Sequence, residues 1–584
     1  MEGNLERQHY TDLLERIKTY FPSPVSNPVM DGYLVHTISH FLDHVDSLKS
    51  TIPILGIGQE NCVECTFYNS DREKLSSLSG TKPEKEAEDL NFPEEIGSVE
   101  NITELLANYC KDMIIWAHPN SQSNVIPPSS IPSILAFIAT AIYNPNIIED
   151  EFSARFAEAE IESVAMLSDL TGYDPLKSGG LFTFGGTGTI FYGCKLGIEK
   201  LFCGRGMLEG IHEDVKVIAS DSSHYSKLNV AGWLGIGTNN LVTIPTTHEN
   251  EMSLTRLEEY LRQAFDREEK VATIIATLGT TDAFGVDDLA AIVRLRDQLA
   301  AEYELEHPPH IHADSVIGWS WAVFKDYDFN GNPLGFHART LRSLQDSLER
   351  IRSLHMADSL GIDFHKTGYS PYISSAFIVK DRKDLTLLSR SPEQMPYLYQ
   401  FGSYHPGIYP LECSRSGAGA LAALANMRLF GKQGYRVLIG HVVEMSEMLR
   451  ERLEAYSFIH VLNDYNYGPV TLFRVYPDDV DAKDTFRREL TEADYREQLK
   501  KNNTYNRHLF NHIHERAMRG EGVLLSWTDA YRHSDYADVP PVAAMKSFIL
   551  SPWTDLNAVY LVVRQILEAR MELGNKEDKK EKDE

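Results

Sequence analysis

Positive charge is in short supply in this chain of 584 residues: 56 lysines and arginines stand against 84 aspartates and glutamates, for a formal net charge of −28. An acidic surface repels phosphate backbones and anionic headgroups, so neither nucleic acid nor an anionic membrane is expected as a partner. Cysteine is scarce as well. The six, at positions 62, 65, 110, 194, 203 and 413, form no disulfide framework for a chain of this size. Cys62-Val63-Glu64-Cys65 lacks the second CxxC pair of a zinc site. Long apolar runs are missing too: the longest, near Ile134 to Tyr143, is too short to span a bilayer, and the N-terminal residues have neither the basic start nor the apolar stretch of a signal peptide. These absences lead us to expect a cytoplasmic protein.

What is present is ordinary for a soluble globular chain, with 42% hydrophobic and 24% charged residues. The length calls for about three domains or subdomains. Residues 1–115 read as a mostly helical segment, interrupted from about Asn69 to Glu100 by a stretch rich in Ser, Lys, Glu and Pro that is expected to be a surface loop. From 116 to 430, strand-like runs (Val215 to Ala219, Ala272 to Ala276, His310 to Ala313) alternate with helical patterns (Phe152 to Leu170, Leu254 to Arg267), which predicts a large α/β domain with a mainly parallel sheet. Residues 431–573 mix an amphipathic helix around Val437 to Tyr456 with strands such as Val470 to Val475, predicting a small α+β domain. The tail 574–584 is nearly all charge and is expected to be disordered.

Two residues carry the chemistry. Asp314 in Ile311-His312-Ala313-Asp314-Ser315 and Lys366 in Asp363-Phe364-His365-Lys366-Thr367 each lie just past a strand-like run. A lysine amine that forms a Schiff base and an acid that keeps a pyridine nitrogen protonated are the two requirements of a pyridoxal 5′-phosphate site. A glycine-rich run, Ser178 to Thr189, leads into a helical pattern from about Ile190 to Leu201, and the N–H groups and dipole of such a helix start favour a phosphate. A dinucleotide fingerprint would need glycine at Phe191 and a P-loop would need a Gly-Lys-Ser/Thr ending, so both fail on spacing. His224 follows the strand-like run Val215 to Ala219, where α/β sheets place ligands, and its flat ring suits stacking on a flat cofactor. His310 and His312 face one side of a strand but have no third metal ligand in sequence, so no metal is expected.

Five blocks in order, namely the glycine-rich segment ending Gly185-Gly186-Thr187, His224-Tyr225-Ser226, Thr277-Leu278-Gly279-Thr280-Thr281, His312-Ala313-Asp314 and His365-Lys366, resemble the group II pyridoxal-phosphate-dependent decarboxylases. These include glutamate, aromatic-amino-acid and bacterial tyrosine decarboxylases of the fold-type I superfamily, and the resemblance covers roughly Trp116 to Gly434. The family's usual His-Val-Asp-Ala-Ala reads here as His312-Ala313-Asp314-Ser315-Val316, and Phe184 replaces a serine often found before the Gly-Gly pair. The stretch from Asp314 to Lys366 is longer than in the animal aromatic-amino-acid enzymes and resembles the bacterial tyrosine branch.

The resemblance implies a seven-stranded-type large domain and a set of roles. Lys366 holds the cofactor, Asp314 pairs with its ring nitrogen, His224 stacks on the ring, Thr187 and Gly188 take the phosphate with His365 beside it, and Thr281 lies near the ring. Tyr397 matches the tyrosine of a mobile loop thought to protonate the substrate carbon, with Tyr399 a near competitor. Arg415 matches an arginine that meets the substrate carboxylate, and residues near His118 are expected in the pocket wall. The implied reaction is decarboxylation of an L-amino acid, aromatic ahead of glutamate or aspartate, by a homodimer with its sites at the subunit interface. Rival readings are an aldehyde synthase of the same family, in which the loop tyrosine is typically phenylalanine, a carbon–carbon lyase acting on phosphorylated sphingoid bases, and a non-catalytic interaction protein on the same fold. The last would be expected to lose Lys366 or Asp314, and this chain keeps both.

Overall fold

Short runs that mix apolar residues with buried polar ones form the strands of the large sheet in the computed structural model, which describes residues 2–56, 92–396, 398, 401–477, 480–536 and 539–583. The Cys62/Cys65 pair, Tyr397, Tyr399 and most of the stretch 69–100 lie outside the described residues. The strands are β1 (Gly179–Thr183), β2 (Val215–Ser220), β3 (Leu241–Ile244), β4 (Lys270–Thr277), β5 (His310–Asp314), β6 (Ser359–Asp363) and β7 (Ser375–Val379). They form one sheet in the order β1-β7-β6-β5-β4-β2-β3. The pairs from β3 through β6 are parallel, and β7 is antiparallel to both β6 and β1, so it alone runs against the others. Every residue of β5, β6 and β7 is buried. A sheet covered on both faces buries both sides of each strand, so the polar side chains His310, His312 and Ser359 lie buried with their apolar neighbours.

The helix Gly186–Leu201 covers one face and packs on β4, β5, β6 and β7. It approaches the sheet through glycines. A Cβ at Gly197 would lie 2.1 Å from Thr273 Oγ1, and one at Gly193 2.5 Å from the His312 ring. The two histidines of β5 do face one side, and both engage a hydroxyl: His310 Nε2 and His312 Nδ1 lie 2.8 and 2.9 Å from Ser359 Oγ. Burial depresses both imidazoles to about 3, so they pack as neutral rings.

A second sheet, wholly antiparallel, has the order β10-β11-β9-β8, formed by β8 (Ile459–Val461), β9 (Val470–Val475), β10 (Ser526–Arg532) and β11 (Val542–Phe548). The helix Ala418–Glu454 leaves helical geometry at Gly431 (φ 52°) and continues. Beyond the break it packs on β8, β9 and the helix Leu556–Asp583, and before it on the helix Ile131–Tyr143. Residues on the two sides of position 430 therefore belong to one compact unit, 116–514 with 523–584. The other unit comprises 1–115 with 515–522 and is helical in its described part, with helices Glu2–Lys18, Pro28–Ser47 and Val99–Asn108. Asn27 starts the second of these by accepting from the N–H groups of Val29 and Met30, with Pro28 at its first position. The charged tail after Gly574 was expected to be disordered, but its backbone continues the last helix to Asp583. Lysine and glutamate are good helix formers, and a helix already nucleated extends without a new initiation cost.

Candidate active site

Ligands of an α/β sheet gather past the carboxyl ends of its strands, and five strand exits here, those of β1, β2, β4, β5 and β6, converge on one cavity of about 260 Å³. The chain leaves β1 through Gly185, whose φ of +100° suits glycine, and enters the helix at Gly186. A Cβ on Gly186 would lie 2.9 Å from Asp363 Oδ2, so the helix start comes close against the exit of β6. Thr187 faces the cavity from that first turn, where backbone N–H groups lack helical acceptors. Gly188 does not line the cavity. Its Cβ position lies 2.6 Å from Thr183 Oγ1, so its missing side chain serves packing against β1.

Beyond β2, the turn that carries His224 is tied down by a buried cation. Lys227 Nζ donates to Ser220 O at 2.5 Å and to Ser223 Oγ at 2.8 Å. His224 Nδ1 accepts from the Ser226 N–H at 3.2 Å and lies 2.8 Å from Ser226 Oγ, which leaves the ring proton on Nε2. Burial, and then the nearby Lys366 cation, push the imidazole down to about 4, so His224 is a flat neutral ring at neutral pH.

At the end of β5, Asp314 is buried, its Oδ1 has no hydrogen-bond partner, and the residue lines the cavity. Burial raises the carboxyl to about 6, against the pull of Lys366. Past β4, Thr280 Oγ1 accepts from the Gly285 N–H at 2.8 Å and fixes the turn, and Thr281 lines the cavity. Past β6, Lys366 Nζ sits 2.8 Å from Asp363 Oδ2, and His365 Nε2 lies 3.5 Å from the same oxygen. Of the expected site residues, Lys366, Asp314, His224, Thr187, Thr281 and His365 thus share one cavity.

Besides Gly188, two expected residues, Arg415 and His118, are not on the cavity wall. Arg415 forms a two-pronged ion pair with Glu160 of the helix Arg155–Thr171, Nη2 donating to Oε1 at 3.0 Å and Nη1 to Oε2, and Nη1 also donates to Phe182 O at 2.9 Å. Both Nη groups are thus engaged by the protein, Nη2 also donating to Ile147 O at 3.2 Å, while Nε has no hydrogen-bond partner. It lines a neighbouring cavity that shares Phe184 and Ile373 with the first. His118 accepts from the Asn120 N–H at 3.1 Å and is not on the cavity wall. Conversely, Asp363 and Tyr372 line the cavity without having been singled out in the sequence. The signal for Asp363 was a carboxylate three positions before the lysine; Tyr372, whose ring centroid is 4.0 Å from that of His365, had none.

Comparison with known proteins gives a consistent picture. Residues 82–475 match the family model described as the pyridoxal-dependent decarboxylase conserved domain. The L-tyrosine decarboxylase of Enterococcus faecium is 27% identical over 262 residues, which is 42% of this chain and 41% of that protein, so the matched part spans about two fifths of that relative's length. The L-2,4-diaminobutyrate decarboxylase of Acinetobacter baumannii is 22% identical over 431 residues, 71% of this chain and 77% of that one. Among solved structures, mouse CSAD in its apo form superposes with a TM-score of 0.71 at 17% identity, covering 93% of this chain and 99% of that chain.

Proposed function

Because this chain belongs to the pyridoxal-dependent decarboxylase family, we propose that it removes the α-carboxylate of an L-amino acid as carbon dioxide, with pyridoxal 5′-phosphate held in the cavity past β1, β2, β4, β5 and β6. The observation that carries this reading is Asp314: a buried carboxylate with an unpartnered oxygen, in the same cavity as a largely buried lysine, has the character required by a protonated ring nitrogen. When bound, the cofactor supplies a ring that accepts the electrons left behind as carbon dioxide departs.

The chain's own residues do the rest. Thr187 and the first turn of the helix Gly186–Leu201 bind the phosphate, with His365 nearby, and Lys366 holds the cofactor covalently. Asp314 keeps the ring nitrogen protonated by charge pairing. His224, neutral and fixed by Ser226, would stack on the ring without adding positive charge. Thr281 packs beside it. We assign delivery of the proton to the substrate's α-carbon to Tyr397, on the match of Tyr397-Leu398-Tyr399 to the family's mobile loop.

An aromatic substrate is the favoured choice. Phe184, Ile190, Val316, Tyr372 and Ile373 give the wall an apolar character. Lys366 is the single lysine or arginine among the described lining residues, and Arg415 is taken by Glu160, so a side-chain carboxylate would find little to neutralise it here. The purified protein incubated with the cofactor is expected to show the visible band of a lysine-bound cofactor and to release carbon dioxide from tyrosine, DOPA or tryptophan faster than from glutamate or aspartate. Preference for the acidic pair would overturn the substrate choice; a band without carbon dioxide from any amino acid would overturn the reaction.

A homodimer belongs to the same proposal, and exposed apolar surface supports it. The helix Ile131–Tyr143 leaves Ile131 75% and Tyr143 74% exposed, and the helix Pro28–Ser47 buries none of its residues while Val29 is 81% exposed. Sedimentation at catalytic concentrations is expected to give twice the chain mass; a monomer with undiminished turnover would refute this. No helix among the described residues is long and apolar enough to cross a membrane, and the four described cysteines are free, which supports the proposed cytoplasmic location.

A further inference from the structure

The lysine of the cavity already has a partner. Lys366 Nζ lies 2.8 Å from Asp363 Oδ2, while Ser375 Oγ donates to Asp363 Oδ1 at 2.6 Å and fixes the carboxylate in place. The Asp363 side chain is completely buried and that of Lys366 is 12% exposed. Asp363 closes β6 and Ser375 opens β7, and the two pair directly across the antiparallel ladder, so the position of the carboxylate is set by the sheet itself. The second carboxylate of the cavity, Asp314, keeps an oxygen without a hydrogen-bond partner. Of the two acids, Asp363 is the one in ion-pair contact with Lys366.

We propose that Asp363 is a positioning residue that holds Lys366 as an ammonium in the cofactor-free protein and receives the proton the lysine must give up before its nitrogen can bond to the cofactor's carbonyl carbon, so that this ion pair sets the rate of cofactor capture. The inference rests on the reading of the cavity as a pyridoxal phosphate site. An ammonium has no lone pair, so Nζ first lends one proton to Asp363. The nitrogen then bonds to the carbonyl carbon and that carbon's bond to oxygen breaks. The oxygen leaves as water, carrying the lent proton and one more from the nitrogen, and the new link stays protonated opposite the restored carboxylate.

The charged and titratable groups around Lys366 agree with this. Facing it are Asp363 and His365 past β6, Asp314 past β5, Tyr372 from the segment before β7, and His224 past β2. Burial alone would push the lysine amine down, but the Asp363 carboxylate outweighs it and the amine lies above its ordinary range. Burial likewise works to raise the Asp363 carboxyl, and Lys366 and then His365 hold it below the usual carboxylate range. His365 is itself pushed down by burial. Without Asp363, burial would have the larger effect, and more of the amine would be neutral at a given pH.

The test needs no turnover. The full-length cofactor-free protein is treated with cyanate across a pH series, and carbamylation of Lys366 is followed by mass spectrometry. Asp363→Asn is expected to raise the rate at neutral pH about tenfold or more, equivalent to a fall of about one unit in the amine's pKa, and Asp363→Glu to return it toward wild type. Capture of pyridoxal phosphate, followed by its absorbance, is expected to quicken in parallel in Asp363→Asn. An unchanged or slower labelling rate in a variant that melts like wild type would overturn the proposal. Should Asp363→Asn not fold, Ser375→Ala carries the test: it frees the carboxylate from its anchor, a smaller rise in the same direction is expected, and no rise overturns the idea. If wild type forms no cofactor band, the reading of the cavity fails whatever the labelling shows; if the band forms while the labelling rate is unmoved, only the role of Asp363 fails.

Discussion

Lys366→Ala is expected to lose decarboxylation by on the order of 10³-fold or more and to lose the visible band of the bound cofactor together with it. Lys366 is the single amine among the described residues of the cavity wall, so no neighbour replaces its covalent link. The side chain is largely buried, and its removal leaves Asp363 without its cation, held by Ser375 and near His365. A buried ion pair broken from one side costs stability, typically about 3–5 kcal/mol. A drop in melting temperature is therefore expected as well. Lys366→Met, which keeps the volume of the stem, separates the effects: it leaves the same charge unpaired but makes no cavity. Both variants must lose the band and the activity, measured by absorbance and carbon dioxide release on folded protein. Activity within tenfold of wild type in either would remove the lysine from the mechanism.

Asp314→Asn is the second large effect, with an expected loss of roughly 10²–10³-fold in kcat, the scale of removing one preorganised charge from a closed site. The substitution keeps the shape of the side chain and removes its charge. The link through Lys366 remains, so the cofactor band is expected to persist, unlike in Lys366→Ala. The pH behaviour gives an independent signature. Burial raises the Asp314 carboxyl to about 6 in the cofactor-free protein, so it is neutral below that pH and charged above it. Wild-type affinity for the cofactor is then expected to weaken as pH falls through about 6, and that step is expected to vanish in Asp314→Asn. Stability runs the other way. A carboxyl whose folded value is raised contributes stability that is full below its unfolded value of about 4 and lost as pH rises through about 6. The cofactor-free variant, spared this loss, is expected to melt no lower than wild type near neutral pH. Fluorescence titration of the cofactor and thermal melts across pH measure both effects; a variant that keeps wild-type kcat would sink the role given to Asp314.

A protein that is held back in stability by a functional group is following a known pattern, in which active sites retain groups a stable fold would discard. Asp314 Oδ1 lacks a hydrogen-bond partner inside the chain, whereas both Nη groups of Arg415 are engaged by Glu160 and backbone carbonyls. The difference separates a group waiting for a ligand from one already used. Both residues looked functional in the sequence, because a match by position records residue type and not what lies beside it in space. Glu160 sits far from Arg415 along the chain and reaches it only because the helix Arg155–Thr171 packs against β1, where Glu160 also accepts from the Phe182 N–H at 2.8 Å. Gly188, matched by position to a phosphate-binding glycine, lies so close to Thr183 that a Cβ there would sit 2.6 Å from its Oγ1.

The sequence by itself determined the class of fold and the central chemistry. Strands β2, β4, β5, β6 and β9 and the helices starting at Gly186 and Leu254 were legible because period and apolar runs are local properties, written within ten or so neighbouring residues. Lys366, Asp314 and His224 were legible because parallel strands deliver the residues at their exits to one edge of the sheet, so position relative to a strand end is enough to bring them together. Only the tertiary structure decided which charges meet. The pairing of Asp363 with Lys366 depends on how the chain turns after β6 and on β7 placing Ser375 opposite Asp363; the pairing of Arg415 with Glu160 depends on helix packing across the sheet. Hydrogen-bond energies fall away within a few ångströms and Coulomb energies weaken with separation, so both are fixed by distances in space that the order of residues along a chain does not contain.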